Sequence, residues 1–173
     1  MVLTKRNLLA AGLAVVSTRS MAQAWPTKPI RMIVPLAPGA TADIVARVFA
    51  EELGKSLGQT VVVDNKTGAG GTIATAELAR APADGYTMGL VSQGTMVFNI
   101  GLYKTPGYDP RKDLAMVAVT GGVSNVLIVS PDNPARTVAD LLAQARAKPG
   151  ELTYSSGGVG TSHHMSGVLL ELR

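Results

Sequence analysis

The 173 residues contain no cysteine. That absence excludes a disulfide framework, a thiol nucleophile and a Cys-ligated zinc site. Aromatics are scarce, with one Trp, four Tyr and two Phe, so a core has to be assembled from Val, Leu, Ile, Ala and Met. Histidine occurs only as the adjacent pair His163 and His164. Neighbours on a helix point about 100° apart and rarely share a metal ion. The run Leu8–Val16 is too short to span a bilayer. The chain has 16 basic and 12 acidic residues, but Lys5, Arg6 and Arg19 all lie within the first 24 positions. The remainder is close to neutral and lacks the clustered Lys, Arg and aromatics of a nucleic-acid surface.

The first 24 residues have the layout of a secretory leader. Lys5 and Arg6 precede the apolar run, a short polar stretch follows, and Ala22-Gln23-Ala24 has the small-x-small form of a cleavage site. Cleavage after Ala24 would release a periplasmic protein beginning at Trp25. Thr4–Leu9 also resembles a twin-arginine export signal with Lys in the first place, so the sequence leaves the export route open.

From Pro29 onward, strand and helix signals alternate. Ile30–Val34 is short, continuous and rich in β-branching, the signature of a buried strand. Thr41 is placed to cap a helix whose apolar positions Ile44, Val45, Val48, Phe49, Leu53 and Leu57 recur at helical spacing, with Gly58 as its stop. Val61–Val63 reads as a strand, Thr72–Arg80 as a helix, Tyr86–Val91 as a strand and Thr95–Leu102 as a short helix. Such alternation predicts parallel strands in a doubly wound α/β sheet. Further strands are expected at Leu114–Val119, Val126–Val129 and Leu152–Tyr154. Helices are expected from Thr137 to Ala147 and from Thr161 onward. Gly121-Gly122 reads as a crossing point, giving one lobe over 25–120 and the start of a second over 121–173.

Two glycine-rich loops carry the chemistry: Pro35–Arg47 after the first strand, and Ser155–Met165 after the last. A strand that turns through glycines into a helix gathers backbone N–H groups at one spot. The positive end of the helix dipole makes that spot an anion site. Two such loops could hold both ends of a small dianion. Asp43, in the first turn of its helix, either complements the dipole or contacts a ligand amine or hydroxyl. Dinucleotide binding is a poor fit: Gly68-x-Gly70 and Gly158-x-Gly160 have Ile73 and His163 where the third glycine belongs. Gly54-Lys55-Ser56 lacks its leading glycine, since position 49 is Phe49. No cofactor is expected. A hydrolase using Ser156 and His164 stays open at this stage, although no G-x-S-x-G elbow is present.

Five motifs occur in order. Pro35, Pro38, Gly39, Asp43, Ala46 and Arg47 match P-F-x-P-G-G-x-x-D-x-x-A-R, with Leu36 and Ala40 departing. Asn65, Lys66 and Gly68–Gly71 match N-[RK]-P-G-A-G-G, with Thr67 in place of proline. Pro82 and Asp84–Thr87 match P-x-D-G-Y-T. Tyr108-Asp109-Pro110 and Lys112-Asp113 match Y-D-P-x-K-D. Ser156, Gly158, Gly160, Thr161 and His164 match S-x-G-x-G-[ST]-x-x-H.

From Trp25 to about Leu170 the chain therefore resembles the tripartite tricarboxylate transporter receptors, the Bug/TctC-type periplasmic solute-binding proteins. The resemblance implies a two-lobed periplasmic-binding-protein fold that closes on a small organic acid and hands it to membrane components of a tripartite transporter. It implies ligand-binding roles for Pro38, Gly39, Ala40, Thr41, Asp43, Gly68, Ala69, Ser92, Ser155, Ser156, Gly160, Thr161 and His164, with no chemistry performed. Family chains continue well past position 173, so the chain is expected to match an N-terminal half. A non-functional remnant is the remaining reading.

Overall fold

The computed structural model describes residues 24–172; the leader lies outside the described residues apart from Ala24. Three parallel strands form a sheet in the order β2-β1-β3: β1 is Ile30–Val34, β2 is Val61–Asn65 and β3 is Thr87–Gly89. The register pairs Ile30 with Val61 and Arg31 with Thr87. Because side chains alternate along a strand, β1 divides its residues between two faces. Ile30, Met32 and Val34 point to one face and are buried there with Val61. Arg31 and Ile33 point to the other, where Arg31 is held by Asp64 of β2 and Glu77.

Helix α1, Thr41–Leu57, covers the first face. The six large apolar residues expected to form its buried stripe do not all do so. Ile44, Val48 and Phe49 are exposed. The stripe against the sheet is Ala46, Ala50, Leu53 and Leu57, continued by the buried Asp43. Both sets repeat at helical spacing, and the alanines win because a small side chain lets the helix axis come closer to the strands. Gly58 ends the helix in the left-handed conformation, φ +66°, as the sequence predicts. Thr41 does not cap it. The N-cap is Ala40, which offers no side-chain acceptor, and the neighbouring Gly39 N–H is taken up by Asp43 instead.

Helix α2, Thr72–Ala79, lies on the opposite face and contributes Glu77 to the Arg31 cluster. Past β3, a wide π-type turn over Gly94–Phe98 runs into the short helix α3, Asn99–Leu102. Helices α4, Val138–Ala147, and α5, Ser162–Glu171, follow. Thr137 caps α4 through a reciprocal pair of bonds with Asp140.

The expected strands at Leu114–Val119, Val126–Val129 and Leu152–Tyr154 do not form a ladder among the described residues. Val117 is 95% exposed and Ile128 83%. β-branched residues favour extended backbone, but a strand exists only when a partner accepts its hydrogen bonds, and here none is in reach. The second glycine loop therefore follows an unpaired segment rather than a sheet strand.

Candidate functional site

Each described strand opens at its carboxyl end into a loop or turn with glycine: Pro35–Ala40 after β1, Gly68–Gly71 after β2, and Ser92–Gly94 after β3. In parallel α/β sheets this is the edge where ligands bind. Contacts between the loops make the three into one surface. A Cβ added to Gly71 would lie 2.8 Å from both Pro35 Cβ and Thr95 Cγ2.

The first loop is framed by one carboxylate. Asp43 is 3% exposed. Its Oδ2 accepts from Gly39 N at 2.8 Å and Arg47 Nε at 2.9 Å, and its Oδ1 accepts from Asn65 Nδ2 at 3.0 Å. Asn65 Nδ2 also donates to the Leu36 carbonyl at 3.0 Å, so β2 grips both ends of the loop. The Arg47 guanidinium, then the Gly39 amide and Asn65, hold the Asp43 carboxyl at about 2. The charge is committed to the loop's own frame, which leaves backbone as the loop's outward chemistry. Pro38, Gly39 and Thr41 are exposed, and the first N–H groups of α1 have no intrahelical acceptor.

The turn after β3 is held from behind. Thr95, fully buried, donates through Oγ1 to the Ser92 carbonyl at 3.1 Å. The Tyr108 hydroxyl donates to the Thr95 carbonyl at 2.6 Å, and burial raises the Tyr108 pKa. Tyr108 of the Y-D-P motif thus acts as a strut beneath the turn, while Asp109 closes its own turn through Arg111 and Lys112.

The second glycine loop docks onto this surface. A Cβ on Gly70 would overlap the Val159 carbonyl, one on Gly94 would lie 2.5 Å from the Gly160 carbonyl, and one on Gly160 would overlap Asn99 Oδ1. Within the loop, Thr161 is the N-cap of α5. Its Oγ1 donates to the Gly158 carbonyl at 2.7 Å and accepts from His164 N at 3.3 Å. His164 Nδ1 accepts from Gly160 N at 3.5 Å, so this imidazole supports the loop. Ser156 is exposed, and its Oγ accepts from Gly158 N at 3.3 Å. Ser156 and His164 share no hydrogen bond among the described residues, and nothing pairs them as nucleophile and base.

The structure therefore brings Gly68–Gly71, Ser92–Thr95 and Val159–Thr161 together, with Pro35 at their margin. Pro38–Thr41 sits at the rim of the same sheet edge, and Ser155 and Ser156 lie on the exposed limb of the second loop. An open groove of about 680 Å³ between α1 and the outer edge of β2, lined by Glu51, Lys55 and Thr60, includes none of these loops. Sequence reasoning gave no role to Thr95 or Asn99. Asn99 carried a usable signal, since a lone carboxamide inside the run Met96–Ile100 is costly to bury unless it is hydrogen-bonded.

A parallel α/β sheet with glycine loops gathered at its strand ends is the arrangement in which α/β proteins bind ligands, and the solved structures it resembles are periplasmic binding proteins. Residues 45–172 match the model of the tripartite tricarboxylate transporter family receptor. Protein BugT of Bordetella pertussis is 40% identical over 154 residues, which is 88% of this chain and 47% of that protein. The R. palustris protein Rpa4515, solved with adipate, is 39% identical with a TM-score of 0.81, covering 85% of this chain and 49% of its own. The periplasmic binding protein BugD superposes with a TM-score of 0.69 at 32% identity, covering 86% and 50%. The chain belongs to the tripartite tricarboxylate transporter receptor family, and it spans about half the length of the curated relatives it matches.

Proposed function

We propose that this chain supplies the carboxylate-reading loops of a periplasmic receptor that captures a small organic acid for the membrane components of a tripartite transporter. In this reading a leader ending at Ala24 directs export, residues 25–120 belong to one lobe and residues 121–173 begin the second. The observation that carries the proposal is the seating of Val159–Thr161 on Gly70, Gly94 and Asn99. It gathers loop backbone and the N-terminus of α5 at the strand-end edge that also holds Pro38–Thr41. Each helix N-terminus contributes roughly 0.3–1 kcal/mol toward an anion. Neither Pro38–Thr41 nor Ser155–Thr161 contains Lys or Arg, so recognition falls to backbone N–H groups, with Gly68, Ala69 and Ser92 as further members of the loop cluster. The adipate bound by the R. palustris relative fits a site that reads two separated carboxylates.

Calorimetric titration tests this, using adipate against its neutral diamide. The titrations are run on this chain and on a version extended to the relatives' length. Adipate should bind the extended protein and the diamide should not. Equal binding of the two, or an unchanged affinity in Gly39→Val, would overturn the two-loop anion reading.

A further inference from the structure

Asn99 is fully buried at the start of α3. Its Nδ2 donates to the Gly70 carbonyl at 3.1 Å and to Thr72 Oγ1 at 2.9 Å. One carboxamide nitrogen thereby pins both the loop after β2 and the first residue of α2. Its Oδ1 accepts nothing, and it is the buried side-chain polar atom left without a partner among the described residues. Such an atom costs about 1–3 kcal/mol, so its position calls for a reason. That oxygen lies against Gly160, close enough that any Cβ there would overlap it. Gly160 is itself buried, with φ +85°, and its N–H makes only the long 3.5 Å contact to His164 Nδ1. The Tyr103 hydroxyl, one turn further on, reaches the Val159 carbonyl at 3.4 Å.

We infer that Asn99 is a positioning residue that ties the second glycine loop to the first lobe. Nδ2 fixes the loop at Gly70, and Oδ1 forms the seat on which Gly160 rests. The Gly160 N–H bond to His164 Nδ1, at 3.5 Å, is the longest of the side-chain bonds that hold this loop, so the contact with Asn99 carries much of its position. This assignment rests on the two-loop reading only for its purpose; the seat is a contact within the chain itself.

The test is amide hydrogen exchange on the full chain without ligand, so a failure here is distinct from a failure of adipate to bind. Asn99→Ala should speed exchange at residues 158–161 and 70–72 by about tenfold or more, as expected when buried hydrogen bonds are lost, and leave β1 and α1 unchanged. Gly160→Ala should free the loop to a similar degree. Adding Asn99→Ala to it should add little at residues 158–161, where both changes break one contact, and should add its own effect at 70–72, where Nδ2 is lost. If Asn99→Ala does not fold, Asn99→Ser, whose small hydroxyl is too short to reach Gly160 or the Gly70 carbonyl, makes the same discrimination. Exchange that rises evenly over the whole chain, or effects of the two substitutions that simply add at residues 158–161, would overturn the assignment.

Discussion

The two glycine loops open helices in the same way but are held by opposite means. The loop over Pro35–Ala40 is framed by charge: Asp43, Arg47 and Asn65 form its scaffold, and its outer face is free. The loop over Ser155–Thr161 is framed by shape. Its supports are close approaches to Gly70, Gly94 and Asn99, with Thr161 as its internal cap. One kind of strand-to-helix loop can therefore be built from an ionic frame or from a steric seat, and the two should fail under different insults. Charge frames answer to pH, and seats answer to added atoms.

The comparison is broken most completely by Gly160→Val. The residue would carry a left-handed φ, costing about 1–2 kcal/mol, and would collide with Asn99. Exchange protection of residues 158–161 should be lost, while β1 and α1 stay protected. Next in size is the first loop's ionic frame. The folded Asp43 carboxyl sits at about 2, below its ordinary 3.8. Its stabilising effect is therefore complete above pH 4 and disappears as pH falls from about 4 toward 2. The Gly39 amide resonance should report this transition by NMR, and Asp43→Asn should abolish it. A Gly160 resonance that moved in step with it would mean the two loops are not held independently.

Smaller effects sharpen the contrast. Thr161→Ala removes the cap of α5 and the bond to Gly158, and should cost about 1–2 kcal/mol locally, read as faster exchange at His164 and Met165. Tyr108→Phe removes one buried hydrogen bond beneath Thr95 and should lower stability by about 1 kcal/mol in urea unfolding. Both loops should be left intact, since the strut lies behind them.

The first loop's place was legible in the sequence because a strand, a glycine turn and a helix start fall within one short window. Its frame was not: Asp43 was left between dipole complement and ligand contact, and Asn65, the last residue of β2, joins it from 22 positions away. Strand Ile30–Val34, the stop at Gly58 and the cap at Thr137 were legible because each also falls within a short window. The buried side of α1 was not, because Ile44-Val48 and Ala46-Ala50 repeat at the same helical interval and only the distance to the sheet separates them. The second loop's seat was not legible either. It depends on Gly70, Gly94 and Asn99 meeting Gly160 across more than sixty positions of chain, and no local pattern encodes that meeting. Leu114–Val119 shows the converse limit: its composition specifies an extended backbone and cannot supply the neighbour that would make it a strand.

By itself the sequence determined the family through five ordered motifs, the α/β alternation, and the places where backbone N–H groups are gathered at helix starts. These are properties of short windows, fixed by turn geometry, capping and periodicity. Only the tertiary structure decided which residues those windows serve. It turned Asp43 inward as a loop anchor, made Tyr108 a strut, exposed Ile44 and Phe49, and pressed Asn99 Oδ1 against Gly160. Burial and close approach are set by what packs opposite a residue, and that neighbour is chosen by the fold rather than by the surrounding sequence.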